Sequence, residues 1–315
     1  MTSQTSSVDP ILIQFLSDMS ESDVIESIAD NSEYPYTNKM VLGSVFKNHM
    51  GSRAIGKIED ILPRTSRIFF LGQNKKIYRY EKAVSVSEIT LDPTVFAMGG
   101  EIVQMAANYS AFFILVKYAT GNTRVFCDIS GKYAKSENFI SVKIMKDKEE
   151  DTQSWVEILD FKELLQPGEH IVHLGCAAFT CIFISSRGKL FSVGSNQFAE
   201  MGIGMTSAIG NSTISEIKPC VVDPECTDGP FFVKTVHGDH NIVALTNDGR
   251  VFICGYSLGR SDNGTRSLAL HHGHHQETLV QVKPEGPNVV FTDICAGYYT
   301  LYGLTSKFNI LQYLT

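Results

Sequence analysis

Four histidines lie close together in the sequence HHGHHQ, at His271, His272, His274 and His275. Imidazoles two or three residues apart can chelate Zn, Ni or Cu. Zinc sites in proteins, however, usually draw their ligands from separated parts of the chain, with cysteines or carboxylates contributing. The cluster lies in a predicted loop, so we predict no resident metal. A hydrolase or metal enzyme built on a divergent scaffold stays a third hypothesis, which this cluster alone supports.

Sequence motifs of nucleophilic and phosphate chemistry are absent. The chain contains no G-x-S-x-G and no H-E-x-x-H, and no S-x-x-K with a supporting second motif. No phosphate-binding loop is present, because Gly131-Lys132 and Gly188-Lys189 are followed by Tyr and Leu. Gly202-Ile203-Gly204 is too short to be a dinucleotide fingerprint. We therefore predict a non-enzymatic protein with no catalytic residues and no cofactor.

The cysteines favour a reducing compartment. None of the seven forms a C-x-x-C pair, and four lie inside apolar, strand-like runs, where cysteine behaves as a small hydrophobic residue. The N-terminal sequence MTSQTSSVDP lacks the positive region of a secretory signal, and no apolar run approaches the length of about 18 residues that spans a bilayer. We expect an intracellular protein, cytoplasmic or nuclear, without a membrane partner. The cysteines are Cys127, Cys176, Cys181, Cys220, Cys226, Cys254 and Cys295.

The net charge of −7 is concentrated at one end. Residues 1–33 form an acidic, Ser-rich segment with seven carboxylates and no Lys or Arg, so the rest of the chain is neutral, with 27 acidic and 27 basic residues. A neutral body lacks the basic surface that binds phosphate backbones, so no nucleic-acid partner is expected. Apolar residues at helical spacing, such as Leu12, Phe15 and Met19, predict a short helix in this segment. It either binds a partner or lies on the protein's own body.

Similar hairpin sequences recur along the chain. IFISSRGKLFSVG (182–194), VALTNDGRVFICG (243–255) and FFLGQNKKIYRY (69–80) each contain an apolar strand, a short turn and a second strand. Asp248 is interpreted as a turn former, since Asn-Asp-Gly favours hairpin turns. Two further hairpins are predicted at 112–127 and 301–313. The copies that begin at Cys176, His237 and Ala296 align without gaps, and a fourth is aligned from Ala106.

The period of the repeats selects the fold class. The small residues Ala107, Ala177, Gly238 and Gly297, which open the copies, are 70, 61 and 59 residues apart. Further strand candidates at 84–89, 140–144, 217–222 and 279–282 bring each unit to four strands. An all-β propeller of four-stranded blades fits this pattern. A doubly wound α/β fold would need helical crossovers, of which only 155–165 is a candidate. A β-sandwich is the closer rival, but it would not explain the period.

Two segments of the chain resemble the repeat of a known family. GDHNIVALTNDGRVFICG and LFSVGSNQFAEMGIG resemble the repeat of the regulator of chromosome condensation (RCC1) family. Gly194, Asn196, Met201 and Gly202 match its Gly-x-Asn-x-x-Gly-Gln-Leu-Gly segment, while Ala199 and Glu200 replace the Gly and Gln. His240 alone retains the histidine of the repeat. The resemblance is good over roughly residues 170–260.

The resemblance implies a propeller domain over residues 34–315. The family has seven blades, and the five hairpins here, with a partial unit in MVLGSVFKNHMGS (40–52), predict six or seven. The family's founding member is a guanine-nucleotide exchange factor for the small GTPase Ran. Its functional residues do not map onto this sequence, because its loops are not preserved.

Propellers bind partners through loops on one face of a rigid scaffold. In each predicted copy, one residue follows the small residue at such a turn, and its identity varies between copies. Asn108, Asp239 and Tyr298 are therefore the predicted binding residues, with Ala178 at the fourth position. We predict an adaptor or regulator that binds protein partners. The alternative is an exchange factor for a Ran-like small GTPase.

Overall fold

The chain divides into two compact units, Met1–Leu91 and Asp92–Thr315. The predicted boundary between residues 33 and 34 lies outside the described residues. A computed structural model of the chain describes residues 58–64, 67–72, 74–81, 85–89, 91, 95, 99–108, 111–128, 155–158, 161–219, 229–238, 240–256, 275–282, 289–296, 300–307 and 310–314.

The described part of the first unit is a single antiparallel sheet. Its four strands follow one another in chain order, so each pairs with its neighbours in the sequence. The strands are β1 (Ile58–Arg64), β2 (Arg67–Gly72), β3 (Ile77–Glu81) and β4 (Ser85–Ile89).

The described part of the second unit forms four antiparallel sheets of the same kind. Each is again ordered as in the sequence, with three or four strands. The second sheet of the chain comprises β5 (Glu101–Ala107), β6 (Phe112–Lys117), β7 (Thr123–Asp128) and β8 (Trp155–Glu157). The third comprises β9 (Ile171–Cys176), β10 (Thr180–Ser185), β11 (Leu190–Asn196) and β12 (Ser207–Ile217). The fourth comprises β13 (Phe232–His237), β14 (Asn241–Thr246), β15 (Val251–Tyr256) and β16 (His275–Gln281). The fifth comprises β17 (Phe291–Ala296), β18 (Thr300–Thr305) and β19 (Ile310–Leu314).

The all-β prediction is confirmed, and so are all five predicted hairpins, which form the second and third strands of the five sheets. The helix candidate at 155–165 is a short strand, β8, followed by the single turn α1 (Phe161–Leu164). Within the described ranges, no helix is long and apolar enough to cross a bilayer. The partial unit near residue 40 and the strand candidate at 140–144 lie outside the described residues.

The hairpin turns share one backbone geometry. In the third sheet, the Ser185 amide donates to the Lys189 carbonyl and the Gly188 amide donates to the Ser185 carbonyl, both at 2.9 Å. Equivalent bonds close the turns that begin at Gly72, Tyr118 and Thr246. The fourth residue of each turn adopts the left-handed conformation that favours glycine. These residues are Lys75 (φ 61°), Gly121 (φ 85°), Gly188 (φ 72°) and Gly249 (φ 81°).

Two of these turns also join successive sheets. The Gly188 carbonyl accepts a hydrogen bond of 3.1 Å from the amide of Phe232, at the start of the next sheet. The Gly249 carbonyl accepts one of 3.0 Å from Phe291 in the same way. The carbonyl of the preceding residue, Phe231 or Val290, accepts from the turn of its own sheet. Adjacent peptide groups at the start of a first strand therefore bind two turns in two different sheets.

The hydrophobic core lies between neighbouring sheets. Strand β10 is buried along its whole length, and its side chains alternate between two clusters. Cys181 and Phe183 pack with residues of the second sheet, whereas Ile182 and Ile184 pack with residues of the fourth. Since successive side chains of a strand point to opposite faces, a strand covered on both sides requires a continuous apolar run.

Each first strand carries a β-bulge at the same place. In β9, Ile171 pairs with Ser185 and His173 with Ile184, which leaves Val172 as the extra residue. The other four first strands show the same shift in register. Three of the bulged residues in the second unit are valines that are about two-fifths exposed. The bulged positions are Glu59, Val103, Val172, Val233 and Thr292.

The residues after the bulges connect the first strands of the second unit. Gln104 of β5 brackets the backbone of Leu174 in β9, accepting from its amide at 2.8 Å and donating to its carbonyl at 2.9 Å. His173 Nε2 accepts from the Thr235 amide of β13 at 3.3 Å. Lys234 donates to Asp293 of β17. Burial lowers the pKa of His173 to about 4, so its ring is neutral at pH 7.

Replacing Gly249 with alanine tests the connection between turn and sheet. A Cβ there would overlap Val290 and lie 2.8 Å from the Phe291 carbonyl oxygen, whereas a Cβ at Gly121 meets nothing within 4 Å. Both glycines have positive φ. We expect Gly121→Ala to lower the free energy of unfolding by about 1 kcal/mol and Gly249→Ala by about 2–4 kcal/mol, measured in urea. Equal losses would contradict the packing role of the turn.

The neutral His173 makes stability depend on pH. Its folded pKa lies below the ordinary value of 6.5, so the unfolded chain binds the proton more tightly and stability falls as pH drops from 6.5 towards 4. Between pH 7 and pH 5, this group should remove about 2 kcal/mol from the free energy of unfolding. His173→Gln should remove most of that pH dependence, whereas the control His170→Gln should leave it. If His170→Gln removed the pH dependence and His173→Gln did not, His173 would not be the group responsible.

Candidate interaction surface

The turns between first and second strands lie at one end of each sheet. Equivalent backbone hydrogen bonds close these turns. The Asn108 amide donates to the Ala111 carbonyl at 2.9 Å, and the Ala177 amide donates to the Thr180 carbonyl at 2.8 Å. The Gly238 amide donates to the Asn241 carbonyl at 3.2 Å. In an antiparallel sheet, the connection between the third and fourth strands emerges at this same end. These two connections therefore build one surface in each sheet.

The strand registers correct one alignment made from the sequence. Cys176 pairs with Cys181, His237 with Ile242, and Ala107 with Phe112. Ala107, and not Ala106, is therefore equivalent to Cys176, and the alignment of that copy was wrong by one residue. Asn108 occupies the position of Ala177 and Gly238. The residue equivalent to Asp239 and Tyr298 is Tyr109.

Asn108 has a structural role in its turn. It is only 6% exposed. Its Oδ1 accepts from the Ala111 amide at 2.7 Å, and its Nδ2 donates to the Cys181 sulfur of the next sheet at 3.3 Å. Asp239 and Tyr298, the other two predicted binding residues, lie outside the described residues, as does Tyr109. The binding role of this turn position stays a prediction.

The connection between β11 and β12 is held in a fixed shape. Asn196 is fully buried, and its Oδ1 accepts from the Met201 amide at 3.0 Å while its Nδ2 donates to the Met205 carbonyl at 2.6 Å. Ser192 donates to the Met201 carbonyl at 3.0 Å. Ala199 (φ 62°) and Gly202 (φ 65°) adopt left-handed conformations. This is the segment that carries the family resemblance, and its asparagine organises the loop.

Glu200 connects this loop to the next sheet. Its carboxylate is 2% exposed and lies 3.3 Å from His240 Nδ1, in the turn between β13 and β14. The second oxygen accepts from the Phe198 amide at 2.8 Å. A buried carboxylate is costly unless its oxygens are paired, and both are paired here.

Aromatic rings cover the contact between Glu200 and His240. The Phe198 ring lies 4.2 Å from the His240 ring and 5.6 Å from the Tyr256 ring, between centroids. The Tyr256 amide donates to the His240 carbonyl at 2.9 Å, and the Ser195 amide makes the equivalent bond to Phe179 in the third sheet. Phe179 is 42% exposed, so it presents its ring where His240 presents an imidazole.

We call this region the aromatic face. It lies at one end of the third and fourth sheets and combines exposed apolar side chains with rings held by buried polar contacts. Met205, at the end of the fixed loop, is 57% exposed. Apolar and aromatic side chains of this kind are typical anchors in protein interfaces. The aromatic face comprises Phe179, Phe198, Met205, His240 and Tyr256.

The aromatic face was not predicted from the sequence. The replacement of the repeat's Gln by Glu200 and the retention of its histidine at His240 are both visible in the sequence, and together they are the signal that could have found it. Phe198 carries no comparable signal.

Metal-binding geometry does not appear in the described ranges. No group of three or more His, Cys, Asp or Glu side chains there could hold a metal ion. His271, His272 and His274 lie outside the described residues, and His275 begins β16. Glu169, another buried carboxylate, accepts from the Ser185 hydroxyl at 2.5 Å and from the Gln166 amide at 3.0 Å. Burial would raise its pKa, but these bonds and the charges of Lys189 and Arg187 hold the pKa below its usual value.

Solved structures that superpose on this chain include RCC1 proteins. Yeast RCC1 (Prp20), in a structure with Kap60 bound, superposes with a TM-score of 0.57 at 15% identity, over 81% of this chain and 56% of that one. A second structure is that of Prp20p from Saccharomyces cerevisiae, which was described together with its binding properties to Gsp1p and histones. It superposes with a TM-score of 0.54 at 14% identity, over 81% of this chain and 57% of that one. The chain has an RCC1-like propeller fold.

A third structure that superposes on this chain is that of human WBSCR16. It gives a TM-score of 0.54 at 13% identity, over 82% of this chain and 62% of that one. The chain thus spans between 56% and 62% of the length of these three structures. No protein-family model and no curated relative matches the sequence. At these identities the likeness concerns the fold, and function has to be argued from the surface.

Truncating Glu200 tests the contact between the loop and the next sheet. Glu200→Ala leaves the partly buried Phe198 amide and the His240 ring without this acceptor, so the free energy of unfolding should fall by about 1–3 kcal/mol. Glu200→Gln restores the residue of the family's repeat and keeps an acceptor, so its loss should be under about 1 kcal/mol. Urea unfolding distinguishes the two variants. Equal losses would show that the carboxylate's hydrogen bonds do not stabilise this region.

Proposed function

We propose that this RCC1-like propeller is a non-enzymatic adaptor or regulator that binds a protein partner through the aromatic face. The observation that supports the proposal most directly is the exposure of Phe179 and Met205 at the same end of the third sheet as the loop that Glu200 connects to His240. Rigid aromatic anchors bind with a small loss of conformational entropy. A partner that presents an apolar side chain to these rings would bury them fully.

The proposal includes the turn positions that vary between repeats. Asp239 and Tyr298 stay candidates for partner contacts, with Tyr109 at the equivalent position of the second sheet. Asn108 contributes by fixing the shape of its turn. An intracellular partner is in keeping with cysteines that are thiols in the described part of the chain.

Affinity capture from native cells tests the aromatic face, with three forms of the full chain compared side by side. The double variant Phe179→Ser, Met205→Ser removes exposed apolar groups and should lose at least tenfold of the captured partner. The control Val172→Ser changes an equally exposed residue on a first strand, Val172 being 45% exposed and Phe179 42%, and should retain the partner. Capture of the same proteins by all three forms would refute the role of the aromatic face.

The alternative is guanine-nucleotide exchange on a Ran-like small GTPase. It is favoured by the likeness to Prp20p, a protein studied for binding to Gsp1p. Exchange would proceed by competition between the propeller and the bound nucleotide, without covalent chemistry. The readout is the release of a labelled nucleotide from Ran-type GTPases in the presence of the chain, and an unchanged rate across a small panel would exclude it.

A further inference from the structure

Two cysteines face each other across the turn that carries Phe179. Cys176 ends β9 and Cys181 lies in β10, and they are register partners in the antiparallel pair. Their sulfur atoms are 2.7 Å apart. The Ala177 amide donates to the Thr180 carbonyl in the adjoining pair, so the cysteine pair is of the alternate, non-hydrogen-bonded kind. The Cα atoms of such pairs are about 4.5 Å apart, within the range that a disulfide spans.

The two thiols differ in access. Cys181 is fully buried, and Asn108 donates to its sulfur at 3.3 Å. Cys176 is partly exposed. Cys127, in the same core cluster, is also buried, and burial raises its pKa well above the ordinary value. This arrangement provides one accessible thiol for attack and one adjacent thiol to complete the exchange.

We propose that Cys176 and Cys181 form a reversible disulfide in exchange with a low-molecular-weight disulfide such as oxidised glutathione. The Cys176 thiolate attacks one glutathione sulfur and forms a mixed disulfide, and the first glutathione leaves as its thiolate. Cys181 then attacks the Cys176 sulfur and passes its proton to the departing sulfur, which releases the second glutathione as its thiol. Two protein thiols are oxidised and one glutathione disulfide is reduced to two thiols.

The bond would close the turn between β9 and β10 at its base, two residues from Phe179. This modification goes beyond the proposed function, since its formation needs no partner. An experiment on disulfide formation can therefore give a negative result without bearing on the binding of a partner, and the reverse also holds.

The experiment treats the folded full chain with oxidised glutathione and maps the cysteines by mass spectrometry after blocking the remaining thiols. In the wild type, the peptide carrying both cysteines should lose the mass of two hydrogens and regain it with a dithiol reductant. Cys181→Ser should stop at the first step and accumulate one glutathione on Cys176. Cys176→Ser should leave Cys181 unmodified, because Cys181 is buried.

A further variant supplies the control. Cys295→Ser removes an exposed cysteine that lies in β17, in another sheet, and should still give the Cys176–Cys181 bond in full. The proposal is overturned if the folded wild type yields no such bond, or if glutathione collects on Cys176 equally in the wild type and in Cys181→Ser. The wild-type result needs no substitution, so it stands even if a variant fails to fold.

Discussion

The hydrogen bond from the first residue of one sheet to the turn glycine of the sheet before it is the constraint on which the packing of the third, fourth and fifth sheets depends. Phe232 bonds to Gly188 and Phe291 bonds to Gly249. Because these bonds involve only main-chain atoms, they fix the spacing of the sheets whatever side chains are present. The turn residue must then be a glycine, both for its positive φ and for the close approach of the neighbouring strand. With that spacing fixed, apolar side chains on both faces of β10 can pack against two sheets, and the loop after β11 can reach His240.

The hairpins could be predicted from the sequence because their signals are local. A buried strand, a five-residue turn and a second buried strand recur within each unit, and burial on both faces makes the strands continuously apolar. The same local reasoning misplaced one copy by a residue. Ala106 and Ala107 are both small, whereas the residue that opens the turn is Asn108. Asn108 occupies the position that a small residue occupies in the other copies, because its side chain hydrogen-bonds within its own turn.

The aromatic face could not be predicted in the same way, because its contacts join residues that are far apart in the sequence. Glu200 and His240 are 40 residues apart and belong to different sheets. A family resemblance identifies each of them as a repeat position, but their pairing depends on how one sheet packs on the next. The cysteine pair is an intermediate case. Its members are five residues apart, yet only the strand register shows that they are opposite one another.

The bulge in every first strand has a consequence for how such a chain can change by mutation. An extra residue shifts the alternation of inward and outward side chains, so deleting Val172 would reverse the facing of one end of β9 relative to the other. The link from His173 to Thr235 would then be lost along with the bulge. Substitutions at Val172 should be tolerated far better than any change in length there. The type of residue at the bulge can therefore vary between repeats, whereas the number of residues in the first strand cannot.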